Sequence, residues 1–141
     1  MAGLLPPDLE AWLCGFVRDV VLPGAGLDAA VSNKEPADGV FPAALVVIRD
    51  DSGPRASIVT QTRSVGVSVL AGTRLLDAPA IDLARPVFAA LTDEALPVVG
   101  GRSCPIAAVT GFYGPYRVAE PQDRTRVYFT AEYAVVGLPA G

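Results

Sequence analysis

The residues with the most chemical potential are the adjacent carboxylates Asp50 and Asp51, since paired acids can do acid–base work or hold a hard cation. They stand in the run Asp50-Asp51-Ser52-Gly53-Pro54, where aspartate is favoured because its side chain hydrogen-bonds the local backbone, so the spacing reads as a turn. Asp93 and Glu94 fall at the end of an expected helix and read as solvated. Gly100-Gly101 is an isolated pair, with neither GxGxxG nor GxxxxGK[ST] around it to cradle a phosphate. Ser32, Ser52, Ser64, Ser68 and Ser103 lack an elbow motif and a basic partner. The chain has no histidine, which removes the usual general base, the commonest metal ligand and every Ser-His or Cys-His pair. Cys14 and Cys104 lack zinc-ligand spacing and read as small buried side chains. The expectation is a protein that is not an enzyme, with no metal and no cofactor.

The stretch of most unusual composition is Gly111 to Arg126, with Phe112, Tyr113, Tyr116, Arg117, Arg124 and Arg126 among turn residues. Aromatics with arginine are enriched at protein interfaces, where they bury large area and make directional polar contacts. The same mixture stacks on single-stranded nucleic acid, a reading weakened here by Glu120 and Asp123. A third reading is a loop whose tyrosines cover the open edge of a core.

Bulk properties narrow the class. A chain of 141 residues, 51% hydrophobic and 18% charged, has enough material for one domain spanning 1–141 and little tendency to disorder. Its net charge of -4 argues against broad phosphate-backbone binding. No apolar run approaches the ~20 residues of a membrane-spanning helix, and no basic segment followed by an apolar one opens the chain. A soluble protein made in a cytoplasm, without membrane contact, is the expectation.

These side chains need a scaffold, and periodicity supplies one. Over 8–21, Leu9, Trp12, Leu13, Phe16, Val17, Val20 and Val21 follow helical spacing, with Asp8 and Glu10 at the positive end of the dipole. The other side holds Ala11, Gly15 and Arg18 with Cys14 at its margin, either a plain surface or one covered by a neighbouring subunit. Pro23-Gly24-Ala25-Gly26 ends this helix, and 24–41 reads as a long loop or arm. Ala43 to Arg49 and Ala56 to Ala71 form a hairpin, the second strand alternating at Val65, Val67 and Val69. After Gly72-Thr73-Arg74, a helix runs from Pro79 to Leu91, capped by Asp77 and kinked by Pro86. Pro97 to Arg102 reads as a turn region, Ser103 to Thr110 as a strand and Gly111 to Pro121 as a loop. Thr125 to Val136 is an alternating strand, with Val127, Phe129, Ala131, Tyr133 and Val135 on one side. Residues 138–141 read as a tail. The order α-β-β-α-β-β predicts an α+β two-layer sandwich, a mainly antiparallel four-stranded sheet packed by two helices.

Three segments in this order resemble the tail terminator (tail-completion) proteins of siphophages: DLEAWLCGFVRDVV; RSVGVSVLAGTRLLDAPAIDLARPVFAAL; and GFYGPYRVAEPQDRTRVYFTAEYAVVG, whose Gly-Pro-Tyr-Arg step is the most specific. Pro86 departs from the family pattern. The resemblance implies a subunit that assembles into a homo-hexameric ring, caps the tail tube, ends its polymerisation and offers a surface for head joining. Its partners would be further copies of itself, the major tail tube protein, a head-completion or connector protein and the tape measure protein. The place implied is the virion, at the head–tail interface, after assembly in the host cytoplasm. Tyr113, Tyr116, Arg117, Arg124 and Arg126, with Asn33 and Lys34 on the arm, are the candidates for subunit or tail-tube contacts. A head–tail connector or stopper is the alternative within this class, and a nucleic-acid-binding module is the alternative outside it.

Overall fold

The computed structural model describes residues 4–5, 7–51, 53 and 60–139. Ser52, Pro54 and the first part of the expected return strand, 56–59, lie outside the described residues, as do residues 140–141 of the expected tail. The elements run β1 (Leu4–Leu5), α1 (Leu9–Phe16), a π-helical turn (Val17–Val21), α2 (Leu22–Ala25), β2 (Ala30–Ser32), β3 (Ala44–Asp50), β4 (Thr60–Ala71), α3 (Ala78–Leu91), α4 (Leu96–Val99), β5 (Ile106–Val118), β6 (Thr125–Val136) and β7 (Leu138–Pro139). The fold is thus mixed α and β.

The main sheet has five strands in the order β2-β3-β4-β6-β5, one more than the four expected. The extra strand is β2, which emerges from the expected 24–41 loop and pairs parallel with β3, Val31 opposite Val46. All other neighbours are antiparallel, including the register of β4 on β6 from Thr60↔Val136 to Ala71↔Thr125. In the supposed tail, β7 pairs with β1, Leu4 opposite Pro139.

One face of this sheet carries the helices. Leu9, Leu13 and Val17 from the first helical segment meet Val46 and Ile48 of β3, while Leu83, Ala84, Val87 and Leu91 of α3 complete a core with Val65, Val67, Val69 and the inward residues of β6. The alternation expected for β6 is observed: Val127, Phe129, Ala131, Tyr133 and Val135 are all buried. On the opposite face Leu45, Val47 and Leu70 form a small second cluster under Phe41.

The first helix differs from its expected course. It does not stop at Val21 but continues to Ala25, and a left-handed Gly26 (φ 67°) closes it. Gly26 donates its N–H to Pro23 at 3.1 Å and Leu27 donates to Leu22 at 3.0 Å, the paired bonds of a Schellman cap. Pro23 is accommodated because it follows the wider π turn, in which Leu22 N–H reaches back to Val17. That turn holds one residue more than an α turn, so the inward stripe steps from Val17 to the buried Leu22. Val20, expected inside, is 52% exposed.

The second helix matches its expected span, and Pro86 sits within it without interrupting the helix. Asp77 stands at the N-cap position, but its side chain makes no cap bond; its carboxylate instead accepts from Arg117. The expected turn at 97–102 contains the short helix α4. The expected loop 111–121 is largely strand, because β5 runs on to Val118 as an edge strand with register shifts at Ile106/Ala108, Val109/Gly111 and Tyr113/Tyr116. Edge strands tolerate such bulges, and with them glycine and proline, since only one side must pair.

Candidate interaction surface

The seven candidate residues divide among three places. Tyr113 and Tyr116 lie on β5 in register with Thr130 and Tyr128 of β6, which puts them toward the helix-free face. The rings of Tyr113 and Tyr116 meet edge to face at 5.5 Å, and those of Tyr116 and Tyr128 at 5.9 Å. This three-ring row is a preferred aromatic geometry, and it remains open, with Tyr113 70% and Tyr116 40% exposed. Two glycines make room for it. Gly114, at φ 102°, has no space for a side chain, since a Cβ would lie 2.9 Å from the Tyr128 carbonyl oxygen. Gly66 on β4 lies beneath the Tyr128 ring.

Asn33, Lys34 and Arg126 come together beside this row. They line a hollow of about 550 Å³ with Glu35, Arg49, Ser68 and Tyr128. Arg126 pairs with Glu35 of the arm and, at 3.3 Å, with Glu120. Asn33 donates to Glu10 at 3.0 Å, and the Lys34 N–H donates to the Ser32 hydroxyl at 3.1 Å. The arm is therefore fastened to the sheet by polar contacts within the chain.

Arg124 and Arg117 point elsewhere. The Arg124 guanidinium donates to the carbonyls of Phe41, Pro42 and Ala43 and lies over the Phe41 ring at 5.8 Å. It acts as a clamp on the end of the arm. Arg117 sits on the helix side and pairs with Asp77 at 3.1 Å. Arg74 is a clamp that sequence reasoning passed over: its side chain donates to the carbonyls of Glu120, Pro121 and Gln122, and its N–H donates to Asp123.

Tyr128 is the other omission. Its signal was the β6 alternation, which set it opposite the core. Desolvation by its neighbours raises its hydroxyl pKa above the ordinary tyrosine value, with the Asp51 charge adding to this. Burial raises the thiol pKa of both Cys14 and Cys104, which works against the reactive thiolate form.

Asp50 and Asp51 are not a paired acid site. Asp50 ends β3, and its carboxylate turns inward to accept from Arg63, while Asp51 is exposed and 3.7 Å from Arg49. Among the described residues no three His, Cys, Asp or Glu side chains gather as metal ligands. No helix among them is long and apolar enough to cross a membrane. The surface is thus one of exposed aromatic rings beside arginines held within the chain by carboxylates and carbonyls.

No protein-family model and no curated protein matches the chain. Among solved structures it is similar to a chain of a particle described as "Virion of native gene transfer agent (GTA) particle", with a TM-score of 0.58 and 18% sequence identity. The likeness covers 92% of this chain and 95% of that one, and at this identity it is a likeness of fold.

Proposed function

We propose that the chain is a structural protein of a phage-like virion, and within it the terminator that caps the tail tube as a hexameric ring. The carrying observation is the fold likeness, along nearly the full length of both chains, to a component of a virion particle. The resemblance of the Gly114-Pro115-Tyr116-Arg117 step and its following strand to tail terminators supports the finer assignment. In this reading the ring stops the major tail tube protein from polymerising once the tape measure protein is spanned. Its other face then receives the head-completion protein. The ring would act at the head–tail interface after assembly in the host cytoplasm, without catalysis and without a cofactor.

A connector or stopper draws equal support from the fold likeness, because the description of that particle gives no position within it. Nucleic-acid binding draws less: Arg126 is neutralised by Glu35 and Glu120, and Arg117 by Asp77. Deleting the gene from the cluster that builds the particle, and imaging the products, tests the assignment. Overlong, headless tails beside filled heads are the expected result. Normal tails with leaking heads would favour the stopper, and normal particles would overturn both.

A further inference from the structure

We propose that copies of this chain meet head to tail, the α3–β5 side of one seating on the α1–β2 side of the next. The inference rests on the ring reading above and names the surfaces that would join its subunits.

The α3–β5 side holds a hollow of about 330 Å³ with an apolar floor of Ile81, Ala84, Pro115 and Val127, rimmed by Arg85 and Arg117. Arg85 is exposed and pairs with no carboxylate among the described residues. Arg117 is the sole charged residue of β5. The outer edge of β5 pairs with no other strand among the described residues, and Phe112 on it is 60% exposed. A side so built, apolar at its centre with Arg85 as the one rim arginine not set against a carboxylate among the described residues, fits an acidic protein surface.

The α1–β2 side is its complement. A hollow of about 350 Å³ there is lined by Asp8, Glu10, Ala11, Cys14, Arg18 and Asn33. Asp8, Glu10, Asp19, Asp28 and Asp38 stand against only Arg18 and Lys34 in 8–41, Glu35 being already paired with Arg126. The outer face of α1 is low, and a Cβ added at Gly15 would meet nothing within 4 Å. Arg18 also donates to the Val31 carbonyl at 3.4 Å, which occupies the outer edge of β2. Side-chain complementarity, and not an added strand, is therefore the means of contact here.

The two sides flank opposite ends of the strand order. Each copy thus offers one of each, as a closing heterologous ring requires. Like-with-like contact on the α1–β2 side would set carboxylate against carboxylate.

Gly15→Gln, which adds bulk without charge, and Arg85→Glu test the contact one side at a time. Both positions lie outside the core, and circular dichroism with thermal unfolding checks that each variant folds. Sedimentation velocity is run up to hundreds of micromolar. The wild-type chain is expected to associate, about tenfold or more weaker at high salt, while each variant alone stays monomeric. Mixed in equal amounts, the variants should form dimers and nothing larger, because each keeps one intact side. Assembly of either variant alone, a monomeric mixture, or a wild-type chain monomeric throughout would overturn the contact. Those results leave the virion reading to the deletion phenotype. Conversely, normal particles after deletion, with head-to-tail assembly in solution, would overturn that reading and spare the contact.

Discussion

The hydroxyl of Tyr128 lies across Gly66 of the neighbouring strand so closely that a Cβ on Gly66 would stand 2.5 Å from it. The absent side chain lets the ring lie over the sheet and reach Tyr116 edge to face. Gly66→Ala should swing the ring away and break the Tyr113–Tyr116–Tyr128 row. The hydroxyl is the far end of a side chain that can move, so the fold should survive with a stability change within about 1 kcal/mol. Near-ultraviolet circular dichroism should change while the far-ultraviolet spectrum stays the same. An unaltered near-ultraviolet spectrum would mean that Gly66 does not set the ring's position.

Tyr133 provides a pH prediction. Its buried hydroxyl donates to the Leu91 carbonyl at 2.6 Å, joining β6 to the C-terminal end of α3. Desolvation raises its pKa far above the ordinary tyrosine value. An acid whose pKa is higher folded than unfolded stabilises the fold fully below the unfolded pKa, about 10 for tyrosine. That stability is lost as pH climbs above this value toward the folded one. Absorbance titration should therefore show one of the four tyrosines ionising late, together with unfolding. Tyr133→Phe should remove the late step and cost about 1 kcal/mol at neutral pH. A Tyr133→Phe titration identical to wild type would refute the assignment.

The buried ion pair between Arg63 and Asp50 gives a larger effect. Their side chains are only 11% and 9% exposed, and Arg63 also donates to Gln61 at 3.1 Å. Asp50 N–H in turn donates to Glu10 at 2.8 Å, so β3, β4 and α1 are knit at one end of the sheet. Arg63→Ala removes the guanidinium that holds this buried carboxylate, which should cost about 1.5–3 kcal/mol. Chemical denaturation should show this as a lower midpoint with an unchanged slope. A loss below about 1 kcal/mol would mean that water replaces the arginine at little cost.

How far the sequence foretold these features follows from how local their causes are. The β6 alternation and the span of α3 depend on neighbours in the chain, and both stand where the local pattern put them. The β2 strand holds three residues in a Gly- and Asp-rich segment, and only pairing with β3 makes it a strand. Gly111, Gly114 and Pro115 read as loop, yet on a bulged edge they are compatible with pairing to β6. At the surface, Tyr113 and Tyr116 were legible by residue type. Their meeting with Tyr128 depends on the register shift between Tyr113 and Tyr116, which no local pattern carries. Arg124 and Arg126 were legible as unusual but not as clamps, because the groups they hold lie far away in sequence, at 41–43 and 35.

The π turn gives the sharpest contrast between pattern and structure. Helical spacing counted from Leu9 through Leu13 and Val17 places Val20 and Val21 inside, with Pro23 marking the end. In the structure the extra residue carries the stripe on to Leu22, which is 3% exposed, while Val20 is 52% exposed. Val20→Ala should change stability by no more than about 0.5 kcal/mol, as surface substitutions do. Leu22→Ala should cost about 2–5 kcal/mol, because it opens a cavity beside the core. Thermal unfolding of the two variants side by side measures the difference. Equal losses, or a greater loss at Val20, would mean that the helix keeps α spacing through this segment and that the π turn is not its ground state.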